Sequence, residues 1–379
     1  MITPWYPTRQ SPVTGAFVRE QAKAVDRFSD VAVFHIACRN PGLKGLWTME
    51  KETNQSICEG IEAYRIWYRN FPLPVVSYFS HLWSVLQAFR HLLVRGFRPN
   101  IIHAHVYEGA VPAVIIGKIH KIPVVVTEHS SKFPRESLTR FDKWKARMSF
   151  RLSELVMPVS QFLQQSIEAY DVKARFRIIR NVADPKVFYP ESSAEPKRPL
   201  KRLLVVGLLK ASHVKGLPDL FKALTLLQAR RDDWHVDIVG DGPARAAYED
   251  EVRELALTDK VTFHGLRTKR QVAEHMRHSD LFVVSSSLET SSVAAAEALL
   301  TGLPVVTTRC GGPEEFINDH VGLTVPCGDA EALCSGLSQM LDQLRRFSST
   351  YISAYGVSLF SPDSVGQQLQ EVYAEYLET

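Results

Sequence analysis

The chain has 379 residues, 45% of them hydrophobic and 23% charged, with a net charge of +4, which is the composition of a soluble globular protein with apolar material for two domains. No apolar run reaches the roughly 18 residues of a membrane-spanning helix, and the start, MITPWYPTRQ, lacks the basic and apolar regions of a secretory signal, so a cytoplasmic protein is expected. The charge is unevenly spread: 26 Lys+Arg face 15 Asp+Glu through residue 190, and 19 face 26 afterwards. A basic first half suits an anionic partner such as a membrane surface, a phosphorylated substrate or nucleic acid, or it is scattered solvated charge. Five cysteines, Cys38, Cys58, Cys310, Cys327 and Cys334, fall in no CxxC spacing and imply reduced, mostly buried thiols rather than disulfides or zinc.

Taken in chain order, VAVFHIA, NIIHAHV, IPVVVTEHS, LVMPVS and FRIIRNV read as short buried strands, β-branched and closed by polar, Gly or Pro residues. Between Tyr189 and Lys201 a stretch rich in Pro, Ser and charge reads as a linker. A second series follows, RLLVVGLL, WHVDIVGDG, KVTFHG, DLFVVSS and LPVVTT, with helical patterns such as PDLFKALTLLQARR and ARAAYEDEVRELAL between. Strands separated by helices of this length imply βαβ crossovers, and so an α/β architecture of two doubly wound Rossmann-like domains facing a central cleft. The tail begins with Ser361-Pro362-Asp363, a helix start, and continues with Val365, Leu369, Val372, Tyr373 and Tyr376 at helical spacing.

In such folds the chemistry lies in loops after the strands. The loop after DLFVVSS holds Glu289, and Glu297 follows inside an alanine-rich helix expected to begin near Ser291. Unpaired amides at that helix start, Thr290 to Ala294 with Ser292 and Val293 at its centre, attract an anion. Carboxylates beside an anion site suit hydroxyl groups, since each accepts hydrogen bonds from two neighbouring sugar hydroxyls. A ribose and a hexose joined by a diphosphate satisfy both acids and the helix start. His103 and His105 form an H-x-H that can bind metal, but two ligands without a third favour a buried, hydrogen-bonded role. No DxD occurs, so no metal and no cofactor are expected. VGDGP lacks the third glycine of a dinucleotide fingerprint and reads as a tight turn; Asn181 and Asp184 read as turn formers; Glu314 and Glu315 read as helix-start acids.

With these residues in view, the chain resembles the retaining glycosyltransferases of family four, of GT-B fold and E-x7-E type. The likeness is carried by WYPTRQSPVTGAFVREQAKAV, IIHAHVYEGA, IPVVVTEHS, IIRNVADPKVFYP, VGDGP, FHGL and TGLPVVTTRCGGPEEFI in order. The resemblance implies that Glu297 holds the ribose hydroxyls, Glu289 the hydroxyls of the transferred sugar and Lys215 the donor diphosphate. It places His129 close to the donor sugar, with His129 and Glu289 as the catalytic pair, and Gly15, Lys210, Ser292 and Val293 with the donor. The family usually has an arginine where this chain has Leu208, which Lys210 is expected to replace; it often has paired glycines where Gly15 stands alone, and a Gly-Phe-Gly-like stretch where Thr290-Ser291-Ser292 stands here.

The expected domains are 1–188 with a returning 356–379, binding acceptor, and 197–355, binding a nucleoside diphosphate sugar. The expected activity is transfer of a hexose to a glycan or lipid-linked glycan in cell-surface polysaccharide synthesis. A nucleotide-sugar epimerase or hydrolase on this fold, or a sugar-binding regulator without turnover, are the alternatives. Two aromatic and basic stretches, AYRIWYRNFPLPVVSYFSHLWSVLQAFRHLLVRGF and KFPRESLTRFDKWKARMSFR, either lie against an anionic membrane, with Trp144, Lys143, Lys145, Arg147 and Arg151 in contact, or pack in the core. No stacking platform or recognition motif supports nucleic acid.

Overall fold

The computed structural model describes residues 1–39, 43–191 and 200–377. The chain divides into two compact units, Met1–Val182 with Val365–Thr379, and Ala183–Ser364.

The first unit is built on strands β1 (Ile2–Thr3), β2 (Ala32–Arg39), β3 (Trp47–Lys51), β4 (Glu62–Arg69), β5 (Ile102–His105), β6 (Val124–Glu128) and β7 (Leu155–Pro158). They form one sheet in the order β3-β4-β2-β1-β5-β6-β7, parallel except for β3, which pairs antiparallel with β4. Helices α1 (Ala16–Val25), α3 (Pro74–Val94), α4 (Val106–His120) and α5 (Arg140–Leu152) supply the crossovers, while α2 (Gln55–Cys58) lies between the antiparallel β3 and β4 and α6 (Gln161–Glu168) follows β7. Alternation along a strand sends neighbouring side chains to opposite faces. On one face Ile102, Ala104, Val124 and Val126 pack with Tyr107, Val114 and Phe150. On the other, Val125, Leu155 and Met157 pack against the tail.

The second unit holds β8 (Lys201–Val206), β9 (Trp234–Val239), β10 (Val261–Gly265), β11 (Leu281–Val284), β12 (Val305–Thr308) and β13 (Gly322–Val325), ordered β10-β9-β8-β11-β12-β13 and parallel throughout. Its helices are α7 (Leu217–Gln228), α8 (Arg245–Glu254), α9 (Lys269–Arg277), α10 (Val293–Leu300), α11 (Ala330–Gln343) and α12 (Ser349–Phe360). The two faces have separate cores, one around Trp234, Phe221 and Leu337, the other around Phe282, Phe316 and Phe360. Both sheets are therefore doubly wound, and each reverses its winding beside its first strand: between β1 and β5, and between β8 and β11. Ligand crevices of open α/β sheets form at such switch points.

Several expectations need correction. Phe176–Val182 is not a ladder strand; Phe176 makes an isolated bridge to Val156 at the sheet edge. The run AYRIWYR is β4, with Tyr64 and Ile66 in the core, so only the helical part of the first aromatic stretch is available to a membrane. The units part at Val182 and Ala183, before the expected linker, whose residues 192–199 lie outside the described ones. Ala183 and Phe188 are buried with Leu204, Phe282 and Phe360, and the Ala183 amide donates to the Phe360 carbonyl at 2.9 Å. Residues 356–364 likewise stay with the second unit, because Phe360 fills its core. The last helix, α13 (Pro362–Leu377), joins the first unit from Val365, burying Val365, Leu369, Val372 and Tyr373 against Val25, Val125 and Met157. No helix among the described residues is long and apolar enough to cross a membrane.

Candidate active site

In the second unit the loops after β8 and β11 meet because those two strands are paired. Lys215 ends the first loop and Glu289 lies in the second, 74 residues on; the lysine Nζ donates to Glu289 Oε1 at 2.6 Å. Ser286 Oγ donates to the same oxygen at 2.8 Å. The two loops are stitched further by Ser285 Oγ to the Lys215 carbonyl at 2.8 Å and by the Ser287 amide to the Val214 carbonyl at 2.8 Å. Gly216 makes this approach possible. Its φ is +63°, and a Cβ there would stand 1.8 Å from the Ser285 carbonyl oxygen. Glu289 is also held through its backbone, its amide donating to Cys310 and its carbonyl accepting from Gly312, so the GGP turn after β12 supports the acid.

The sequence reading missed the serines, which have no nucleophile context but orient both the acid and the lysine. The side chain of Glu289 is 14% exposed and that of Lys215 34%, so the pair sits at an accessible rim, where screening keeps its contribution to stability small. Helix α10 begins at Val293, behind Ser292 in a left-handed conformation with no side-chain cap. Helix α7 likewise starts behind left-handed Gly216 without a side-chain cap. Both helix starts leave backbone donors for an anion. Glu297 lies one turn inside α10, half-buried. Lys210 is exposed, and its carbonyl accepts from the Tyr248 hydroxyl at 3.2 Å. Thus Lys215 and Glu289 meet across two loops, and Ser292, Val293 and Glu297 follow Glu289 along the start of α10; Lys210 shares the loop after β8 but not the hydrogen bonds of the pair. The expected tight turn VGDGP follows β9, and Glu314 Oε1 accepts from the Gly311 amide at 2.8 Å.

The first unit carries Gly15 and His129. Gly15 precedes α1 with φ +68°, and a Cβ there would meet the Trp5 carbonyl at 2.4 Å, which accounts for a glycine at that position. His129 follows β6 and is buried. Its ring stacks at 5.5 Å on His105, which stacks at 4.5 Å on His103. His105 Nδ1 and His129 Nε2 are 3.2 Å apart, while His103 bonds the Tyr373 hydroxyl and Thr127 Oγ1, each at 2.6 Å. The rings lie parallel instead of converging, and no group of metal-ligating geometry occurs among the described residues. Phe17, two residues after Gly15, packs on the His129 ring at 4.4 Å. Burial drives the imidazole of His129 down to about 3, opposed by a hydrogen bond that the ring donates to Asn181, so the ring is neutral near pH 7. Asn181, read from sequence as a turn former, is thus a neighbour of this histidine.

The family profile described as Glycosyltransferase Family 4 matches residues 17–187. The profile described as Glycosyl transferases group 1 matches residues 200–343. The chain belongs to the family-four-like glycosyltransferases. The relatives of this chain include the glycogen synthase of Mycobacterium tuberculosis, 26% identical over 65% of this chain and 61% of its own, so the chain matches about three-fifths of that relative's length. TuaC of Bacillus subtilis, assigned as a teichuronic acid biosynthesis glycosyltransferase, is 26% identical over 89% of this chain and 87% of its own. Among solved structures, sucrose-phosphate synthase from Thermosynechococcus elongatus superposes with a TM-score of 0.75 at 20% identity, covering 96% of this chain and 93% of its own. Anabaena HepE, in complex with UDP and glucose, gives 0.74 at 19% over 95% of each. These likenesses establish the two Rossmann-like domains of the GT-B fold.

Proposed function

We propose that the protein transfers a hexose from a nucleoside diphosphate sugar to a hydroxyl of a glycan or lipid-linked glycan, with retention, in cell-surface polysaccharide synthesis. The observation that carries this reading is the Lys215–Glu289–Ser286 cluster at the switch point of the second sheet, between two uncapped helix starts. An ammonium has three donors, and Lys215 gives one to Glu289, so the same lysine can serve phosphate oxygens beside it. As the glycosidic bond breaks, the departing diphosphate gains charge, which Lys215, Lys210 and the amides at Ser292 and Val293 stabilise without a divalent ion. Glu289, oriented by Ser286, takes hydroxyls of the transferred sugar, and Glu297 takes the ribose hydroxyls. His129, held neutral, offers the sugar a hydrogen bond without adding charge. The complex of HepE with UDP and glucose and the polysaccharide role assigned to TuaC support the donor class and the setting.

We also propose contact with an anionic bilayer through the first unit. Tyr78 of α3 packs edge-on to Phe141 of α5 at 5.2 Å, and Phe141 stacks on Trp144 at 5.7 Å. Exposed Val75, Phe79 and Trp83 lie on the same α3, and exposed Arg140, Arg147 and Arg151 on the same α5. Lys145 is not available: it pairs with Asp142 at 2.7 Å and lies over the Phe141 ring.

A coupled assay for nucleoside diphosphate release tests the activity. Release that requires acceptor supports transfer; release indifferent to acceptor indicates a hydrolase, and none with any donor refutes turnover.

A further inference from the structure

Glu128 ends β6 and is fully buried, yet no role has been assigned to it. Its side chain points to the α4 side of the sheet, opposite to Thr127 and His129. Oε1 accepts from the His129 amide at 2.8 Å and the Ser130 amide at 2.7 Å, and Oε2 accepts from the Tyr107 amide at 2.8 Å. All three donors are backbone groups at the ends of two adjacent strands. A carboxylate without exposure is costly to bury, and an apolar side chain would avoid that cost, so its presence is explained only by what the three amides need. Burial raises its carboxyl, and the amide bonds from Ser130, Tyr107 and His129, which only the ionised form accepts together, oppose the shift.

The neighbouring backbone shows why an acceptor is needed there. Strand β5 passes into α4 without a loop: His105 caps the helix and Val106, buried and β-branched, takes φ +55°. A left-handed β-branched residue costs about 1–3 kcal/mol and persists only where its surroundings over-determine it. The Tyr107 amide, directly after it, is one of the helix-start donors that lack an intrahelical partner, and Glu128 Oε2 satisfies it. The other oxygen satisfies the first two amides after β6. One side chain therefore joins the turn that carries His105 to the turn that carries His129, and those two rings are in turn bonded to each other.

We propose that Glu128 is a positioning residue for His129: its carboxylate clamps the start of α4 to the end of β6 and so fixes the backbone from which the histidine projects. This rests on the reading that His129 serves transfer. It predicts an asymmetric response to Glu128→Gln. The glutamine oxygen can still serve the His129 and Ser130 amides, but its NH2 then meets the Tyr107 N–H, donor against donor, and the clamp opens on the α4 side.

Two measurements test the clamp. In the NMR spectrum of the full chain, the His129 ring resonances should move in Glu128→Gln while those of His35 and His81, in the same unit, stay as reporters of an intact fold. In turnover, Glu128→Gln should lower kcat roughly ten- to a hundredfold with little change in donor KM, the effect of misplacing a catalytic group, and should add less than about twofold to His129→Ala because both act through one ring. Unmoved His129 resonances, or an equal loss from Glu128→Gln with and without His129, would overturn the positioning role alone. Full turnover by His129→Ala would overturn the reading beneath it as well.

Discussion

Gly216→Ala probes the seam on which the second unit's site depends. A side chain at φ +63° carries a left-handed cost of about 1–2 kcal/mol. The new methyl would also stand 1.8 Å from the Ser285 oxygen, a backbone atom that cannot rotate away, so the β11–α10 loop must retreat by more than an ångström. Overpacking of that kind adds about 1–3 kcal/mol. Gly328→Ala separates the two effects, since Gly328 lies in the same unit at φ +72° with nothing within 4 Å of the added methyl. For a unit of this size 1 kcal/mol moves Tm by about 2–4 °C, so Gly328→Ala should lose on the order of 5 °C and Gly216→Ala on the order of 10 °C. The bonds from Lys215 to Glu289 and from Ser285 to Lys215 cross the same seam, so titration calorimetry should show weakened donor binding in Gly216→Ala and wild-type binding in Gly328→Ala. Equal Tm losses, or unchanged donor affinity in Gly216→Ala, would refute the reasoning.

Glu297→Ala should weaken donor binding by about 1.5–3 kcal/mol, as for a lost charged hydrogen bond, and an unaltered affinity in a folded variant would end its assignment to the ribose. Removing residues 365–379 takes away Val365, Leu369, Val372 and Tyr373, each contributing about 1.5–3 kcal/mol of burial. Hydrogen exchange should rise in residues 1–182; a rise confined to residues 201–360 would contradict the packing of α13. His35, His81 and His129 have folded values near 4, 4 and 3, all below the unfolded value of 6.5. Their contribution to stability is therefore full above about pH 6.5 and is lost as pH falls toward 4, opposed by Glu128, whose raised value favours the folded state as pH falls. Thermal melts of the first unit should drop between pH 7 and 4.5, and a flat or rising Tm would count against buried neutral histidines. Sedimentation with phosphatidylserine vesicles should decline when Phe79 and Trp144 both become serine, and should be indifferent to them if the patch does not meet lipid. Treatment with a chelator should leave turnover intact; loss restored by Mn²⁺ or Mg²⁺ would reveal a metal step.

Much was legible because strands buried on both faces read as continuous apolar runs. RLLVV, DLFVV and LPVVTT could hardly be anything else once helical patterns separated them, and the order of loops then pointed to Glu289 and Glu297 by chemistry alone. Elements with mixed faces were harder: β4, where buried Arg65 and half-buried Trp67 flank the core residue Ile66, reads as amphipathic, and its membership of the sheet rests on pairing with β2 and β3. Local pattern also placed the boundary at the Pro- and Ser-rich stretch, whereas packing moved Ala183 and Phe188 into the second core.

Periodicity and the chemistry of single residues were enough to place most of the buried strands, the helix starts and the residue types that suit a sugar and a diphosphate, because those features are local. Tertiary structure alone decided the partnerships. Lys215 meets Glu289 because β8 pairs with β11, Ser286 faces the acid because Gly216 lets two backbones touch, and Glu128 reaches Tyr107 because β5 lies beside β6. Strand order is set by which crossovers bury both faces of a sheet at once, and that is a property of the whole chain that no local stretch encodes.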